Sequence, residues 1–289
     1  MKNKLILGTV QFGKTYGINN LNGMPSFEQV QEILEYAYEK GIDTLDTAEA
    51  YGKSQYRIGK FHENSEKKFK IITKYSPQNK DLSNNIFERV IDNITNMKVD
   101  CLYCYMFHSF KDYNLYFNKF KDELLKLRRL NKIKKIGVSL HSNEDIFQVI
   151  KNKDIDLIQL PFNLLDNSHQ RKEVLEISKN HGLEIHTRSS FLQGLFFKNI
   201  DNLKGNLIYL KKDLQKINQL ISNDNLTNKI ALKYVYEKKF IDNIIIGVDS
   251  IEQLKSNISI VDYQLSSKIK SKIDKISVEN QFYLNPSNW

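Results

Sequence analysis

Short apolar runs recur along the chain, beginning near Leu5, Ile42, Phe69, Cys101, Lys134, Ile155, Leu183 and Asn243. Between most of them the apolar residues return every three or four positions, the period of a helix with one buried face. The first helix is written out in full. Pro25 and Ser26 open it, Gln29 completes a capping box, Val30, Ile33, Leu34 and Ala37 mark its inner face, and Gly41 closes it. Ser83 precedes Ile86, Phe87, Val90, Ile91 and Ile94 at the same spacing, and Ser142 with Asp145 and Ser250 with Gln253 mark two further helix starts.

Strands that alternate with helices demand a parallel sheet. Eight such units within 289 residues fit a closed (β/α)8 TIM barrel better than an open doubly wound sheet. An open dinucleotide-binding sheet would also place GxGxxG after its first strand, and LGTVQFGKTYG does not supply it. The stretch from Leu183 to Asn243 is about twice the usual repeat, so an extra helical segment belongs between strands 7 and 8, where barrels often bind phosphate. No linker or charge block divides the chain, which predicts one α/β barrel domain over residues 1–277 and a C-terminal tail over residues 278–289. Phe282, Tyr283 and Trp289 make that tail bulky: it either packs on the outside of the barrel or lines the substrate pocket as a lid.

Hydrophobic residues at 40% and charged residues at 27% exclude wholesale disorder. Apolar stretches such as Ile244 to Val248 fall far short of the roughly 18 residues of a membrane span, and the first residues lack a leader's apolar core. A soluble cytoplasmic protein with no membrane partner is expected. The net charge of +9 points first to nucleic acid or an acidic surface. Yet the arginines that favour base reading are only Arg57, Arg89, Arg128, Arg129, Arg171 and Arg188, and the remaining charge is lysine spread along the chain. No nucleic-acid partner is therefore expected, although an anionic small ligand benefits from the same field. Cys101 and Cys104 form a CxxC, but they fall in the strand-like run VDCLYCYMFH, where side chains three apart point to opposite faces. Two buried thiols are the expectation, and no metal site.

In a barrel the chemistry sits at the carboxyl ends of the strands, so polar residues that end apolar runs are the candidates. Asp46 ends TLD, Tyr51 follows in the next loop, Lys74 ends FKIITK and His108 ends CLYCYMFH. Singly, each has a structural explanation as a cap, a packed ring, a solvated ammonium or a hydrogen-bonded core residue. Together they have a chemical logic. A free phenol has a pKa of about 10, a nearby ammonium favours the phenolate, and a carboxylate would keep that ammonium charged and in place. His108 would then orient a carbonyl oxygen beside the Tyr51 hydroxyl, as suits charge developing on an oxygen when hydride reaches a carbonyl carbon. An aldolase-like reading, with Lys74 as a Schiff-base nucleophile, is the alternative enzyme chemistry.

The segment DTAEAYG at Asp46 to Gly52, with GID before it and ITK and the strand-ending His108 after it, resembles the aldo-keto reductases. The likeness runs from LGTVQFG through GVSLHS, IDLIQLPFN and RSSFLQGLF to IIIGVDSIEQLKSN. It implies an NAD(P)H-dependent reduction of an aldehyde or ketone, with Tyr51 as general acid, Lys74 and Asp46 tuning it and His108 placing the substrate. It also implies that Ser139 and Gln159 hold the nicotinamide carboxamide, with Leu140 where an asparagine is common, and gives Asn163 a cofactor or substrate contact. Arg188 falls where many relatives carry an aromatic that stacks on the ring, and a guanidinium can also stack. Ser189, Phe191, Leu192 and Gly194 match a loop along the pyrophosphate, and Gly247, Ser250, Gln253 and Asn257 match the adenosine end. The resemblance and the positive field favour NADP(H) over NAD(H), although Gly247 and Gln253 replace basic residues and Asp249 would repel a 2′-phosphate. The likeness is close to bacterial members encoded among surface-polysaccharide genes, which implies a sugar-related carbonyl. A barrel that senses the cofactor without turning anything over is the non-enzymatic alternative.

Overall fold

The computed structural model describes residues 3–20, 23–79, 83–221 and 226–289. Eight strands close into a barrel in chain order: β1 Leu5–Gly8, β2 Thr44–Asp46, β3 Lys70–Tyr75, β4 Leu102–Phe107, β5 Ile133–Ser139, β6 Leu157–Pro161, β7 Glu184–Arg188 and β8 Asn243–Gly247. All neighbours are parallel, and β8 returns to β1 with Leu5 opposite Ile244 and Gly8 opposite Gly247. The helices are α1 Phe27–Glu39, α2 Ser54–Glu63, α3 Ile86–Met97, α4 Phe110–Arg129, α5 Asn143–Val149, α6 Ser168–Asn180, α7 Lys211–Leu220, α8 Thr227–Tyr236, α9 Ile251–Ser259 and α10 Ser267–Ile273. The chain is a single-domain (β/α)8 barrel.

Strand starts depart most from the apolar pattern at β2 and β6, because the preceding turns take the first apolar residue. Ile42 N–H donates to Ala37 O at 2.9 Å to finish α1, and Ile155 N–H donates to Asn152 O at 3.2 Å. The capping box of α1 forms as read, and Gly41 takes φ +78 just beyond the helix, where a left-handed residue releases the chain. At α3 the cap is Asn85 and not Ser83: Asn85 Oδ1 accepts from the Phe87 and Glu88 amides, and Ser83 instead donates to Glu88. Ser142 and Ser250 cap α5 and α9 through the amides of Asp145 and Gln253.

Two apolar layers hold the barrel. Ile6, Ile72, Cys104, Met106, Leu157 and Ile245 fill its interior, and a larger cluster lies between strands and helices. Cys104 belongs to the interior, whereas Cys101 precedes β4 and is only half-buried, so the expectation of two buried thiols holds for one of them. Burial pushes both thiols above their usual pKa, which disfavours the reactive thiolate. Among the described residues no group of three or more His, Cys, Asp or Glu side chains is placed to hold a metal ion, and no helix is long and apolar enough to cross a membrane.

The long β7–β8 interval holds three short 3-10 segments, Leu192–Phe197, Ile200–Asn202 and Gly205–Leu210, followed by α7 and α8. The tail is fastened to this insertion. Tyr283 stacks on Tyr209 with 4.6 Å between centroids, Asn206 Nδ2 donates to Asn288 O, and Trp289 Nε1 donates to Tyr283 O, both at 2.8–2.9 Å.

Candidate active site

The carboxyl ends of the strands surround a cleft of about 840 Å³. Asp46 closes β2, Lys74 lies one residue from the end of β3, and His108 follows β4, so three adjacent strands deliver them to one wall. Tyr51, in the turn after β2, lines the cleft with them. The Lys74 ammonium donates to Asp46 Oδ1 at 2.6 Å and to Thr47 O at 2.9 Å, in a pair almost removed from water. It lies 5.3 Å from the centroid of the Tyr51 ring, and His108 meets that ring edge-on at 5.8 Å. Gln159 Nε2 donates to the other Asp46 oxygen at 2.8 Å, so the carboxylate is held from two sides. A lysine bound to a carboxylate and a carbonyl is placed as a fixed positive charge, which suits proton tuning better than the Schiff-base alternative.

Glu49, two residues before Tyr51, anchors the loop from below. Its Oε2 accepts from Arg89 Nε at 2.9 Å, Arg89 Nη2 at 2.7 Å and Ser76 N–H at 2.8 Å. Its Oε1 accepts from Tyr105 at 2.7 Å and Asn93 at 2.9 Å. A buried carboxylate is tolerable only with such full compensation. From above, Gly13 and Gly52 permit backbone to lie on backbone. A Cβ on Gly13 would sit 1.7 Å from Tyr51 O, and Gly52, at φ +53, would bring one to 2.5 Å from Gly13 O. Only glycine suits both demands.

Burial, with Lys74, Arg188 and Lys14 adding repulsion, lowers His108 to a pKa of about 3. Burial and the neighbouring Arg188 and Arg171 do the same for His141, also to about 3. Both imidazoles are therefore neutral near pH 7. His141 Nε2 lies 2.7 Å from Arg188 Nη2 and accepts from it in that state. Arg188 thereby stands fixed at the end of β7, its own pKa lowered by burial.

Ser139 and Gln159 are register partners at the ends of β5 and β6, and both face the cleft. Leu140 turns wholly into the outer core and offers the cleft nothing polar. Arg188, Ser189, Phe191, Gly194, Gly247, Gln253 and Asn257 also lie on the cleft wall. Asn163, Leu192 and Ser250 do not line the cleft. Leu192 is packed in the core, Ser250 Oγ accepts from the Gln253 amide as the cap of α9, and Asn163 is buried, accepting from the Leu165 and Asp166 amides and donating to Ser189 O. The loop after β7 is unusual in its backbone: Ser189, Leu192, Gln193 and Gly194 have φ of +61, +47, +53 and +93. For three non-glycine residues this is a sparsely populated region, held only where surrounding structure requires it.

Sequence reasoning did not single out Gln11 or Ser190 among the residues that line the cleft. Gln11 Oε1 and Ser190 Oγ are buried polar atoms without a hydrogen-bond partner among the described residues, and both residues line the cleft. They lie within LGTVQFG and RSSFLQGLF, but nothing in those segments separates a ligand-facing side chain from a structural one.

Comparison with known proteins adds the family. The model of the Aldo/keto reductase family matches residues 4–278. Among solved structures, the chain is similar to the holo form of the aldo-keto reductase AKR11C1 from Bacillus halodurans, at 20% identity and a TM-score of 0.78, over 95% of this chain and 92% of that one. The apo form of AKR11C1 gives 21% and 0.72, over 94% and 91%. PA4992 from Pseudomonas aeruginosa gives 19% and 0.66, over 89% and 88%. A search of the curated proteins gave no match.

Proposed function

The chain belongs to the aldo/keto reductase family, and from that premise we propose that it reduces an aldehyde or ketone to an alcohol with a nicotinamide dinucleotide, Tyr51 serving as proton donor. The observation that carries this reading is the buried Lys74–Asp46 pair beside Tyr51 and His108, at the mouth of a cleft large enough for a dinucleotide and a small substrate.

The residues present fit such a cofactor. The unpartnered Ser190 Oγ and Gln11 Oε1 are polar capacity that the fold itself leaves unused. A Cβ on Gly247 would come within 2.6 Å of Gln11, so glycine keeps that wall open. Ser139 and Gln159 would hold the carboxamide, Arg188 would lie against the ring, the loop from Ser189 to Gly194 would follow the pyrophosphate, and Gln253 and Asn257 would meet the adenosine. When bound, the cofactor supplies the hydride.

The chain's own groups handle the oxygen. Neutral His108 donates a hydrogen bond that holds the substrate carbonyl toward Tyr51. As the carbonyl carbon is reduced, Tyr51 passes its hydroxyl proton to the oxygen, and the Lys74 ammonium stabilises the charge left on the phenol. Asp46, itself held by Gln159, keeps that ammonium in place. On the substrate side the wall carries Ser76, Gln78, Ser109 and Asp112, joined by Asn285 and Ser287 from the tail. Such a wall suits a polyhydroxylated, sugar-derived carbonyl compound, and it assigns residues 278–289 a share of the pocket beside the barrel of residues 1–277. The net charge favours NADP(H) at long range, whereas the residues at the far end of the cleft favour a plain ribose.

Cofactor oxidation in the presence of sugar aldehydes, ketoses and small aromatic aldehydes tests the proposal. Loss of a positioned proton donor costs about 100-fold to 10,000-fold, so Tyr51→Phe is expected to lose at least about 100-fold in kcat. Full activity in Tyr51→Phe removes the phenol from the mechanism, and cofactor binding without turnover across the panel replaces the enzyme with a sensing barrel.

A further inference from the structure

The reactive ring must lie beside Tyr51, so an extended dinucleotide runs from there over the loop after β7, with its left-handed backbone and the unpartnered Ser190, toward β8. At that far end the wall is Gly247, Asp249, Gln253, Ser256 and Asn257, with Asn228 from α8. Among the described residues, the positive side chains that line the cleft are Lys74 and Arg188, and both serve the catalytic end. Lys255 of α9 lies instead over the Tyr36 ring, 5.6 Å from its centroid.

Asp249 is the charged group of the far end. Asn20 Nδ2 donates to its Oδ1 at 3.3 Å, and its own amide donates to Gln253 Oε1 at 2.9 Å. Burial raises its carboxyl pKa from the ordinary value, and the influence opposing that rise is a hydrogen bond with Gln253 rather than a cation. A carboxylate among amides and a hydroxyl is an acceptor for the two hydroxyls of a ribose diol. A dianionic 2′-phosphate placed there would meet a like charge with no guanidinium or ammonium to offset it. The overall positive charge does not repair this, because exposed charges more than about 8 Å away are largely screened at physiological salt.

We propose that Asp249 is a specificity-determining residue, through which the cleft selects the unphosphorylated ribose and so NAD(H) over NADP(H). The proposal rests on the dinucleotide reading above, and a binding experiment separates the two. Equilibrium titrations that follow the fluorescence of NADH and NADPH on the whole protein are expected to give at least a tenfold lower Kd for NADH, with the gap narrowing as salt rises. In Asp249→Ser the ratio is expected to shift at least fivefold toward NADPH. Competition offers a second readout without the reactive ring: 5′-AMP is expected to displace NADH at lower concentration than 2′-phospho-5′-AMP. Equal or tighter binding of NADPH overturns the proposal while leaving the reductase reading intact, as does a ratio unmoved in folded Asp249→Ser. If neither dinucleotide binds, the reductase reading falls and this inference with it.

Discussion

Replacing Arg89 by methionine removes the cation from a buried carboxylate two residues away from the proposed proton donor. In the native protein Glu49 has five donors, two of them from Arg89, and both side chains of the pair are within 2% of complete burial. Arg89→Met keeps the apolar stem but ends short of the guanidinium carbon, so the contact of that carbon with the Tyr75 ring, 4.7 Å from its centroid, is lost together with the charge. What remains is a carboxylate with neutral donors and no counter-charge. Breaking one partner of a buried pair costs about 3–5 kcal/mol. At about 2–4 °C per kcal/mol for a chain of this class, the thermal midpoint is expected to fall by roughly 6–20 °C. The stranded charge accounts for most of this loss, beside the contacts of the guanidinium with Tyr75 and Ser76 O. The double variant Glu49→Gln with Arg89→Met, which removes that charge and keeps an acceptor for Ser76, Asn93 and Tyr105, is therefore expected to recover part of the loss. Thermal and urea unfolding followed by far-ultraviolet circular dichroism measure both proteins. A single variant that loses less than about 1 kcal/mol, within the range of an exposed pair, refutes the argument, as does a double variant no more stable than the single.

Two further outcomes follow from the same geometry. His108 and His141, each held near a pKa of 3, bind a proton in the unfolded chain below about pH 6.5 but not in the folded one, so stability is present above that pH and falls as pH drops toward 3. Each contributes a slope of at most about 1.4 kcal/mol per pH unit. Unfolding free energies measured from pH 7 to pH 4 are expected to decline less steeply in His108→Gln, and an identical slope refutes the assignment. Gly13→Ala places a methyl where Tyr51 O already lies, so the loop must move. A shift of about 1 Å at a reacting group can cost up to about 100-fold, so kcat is expected to drop at least tenfold while the circular dichroism spectrum keeps its native shape, and undiminished kcat contradicts the contact.

The barrel was legible because its evidence is local and repeated. A change from strand to helix period, a serine cap or a glycine stop can each be read within one segment, and closure of the sheet then brings the ends of β2, β3 and β4 to one wall without further information. That is why Asp46, Lys74 and His108 could be named as strand-ending polar residues before their distances were known. The groups that hold them are another matter. Glu49 finds Arg89, Asn93 and Tyr105 across 40, 44 and 56 residues, and Gln159 reaches Asp46 across 113, so no window of sequence contains both partners. A carboxylate in a loop reads as solvated until the fold buries it. Two residues matched to the cofactor show the converse. Ser250 was legible both as a helix cap and as a cofactor contact, and one hydroxyl oxygen engaged by Gln253 N–H at the start of α9 serves the helix. Leu192 is an apolar residue in a loop otherwise matched to phosphate, and burial claims it first. In both cases the local physical demand accounts for the placement of the side chain, and the cofactor contact is a separate matter of what the cleft holds. The same local reading gives weight to Asp249, whose charge and surroundings depart from what the likeness favours.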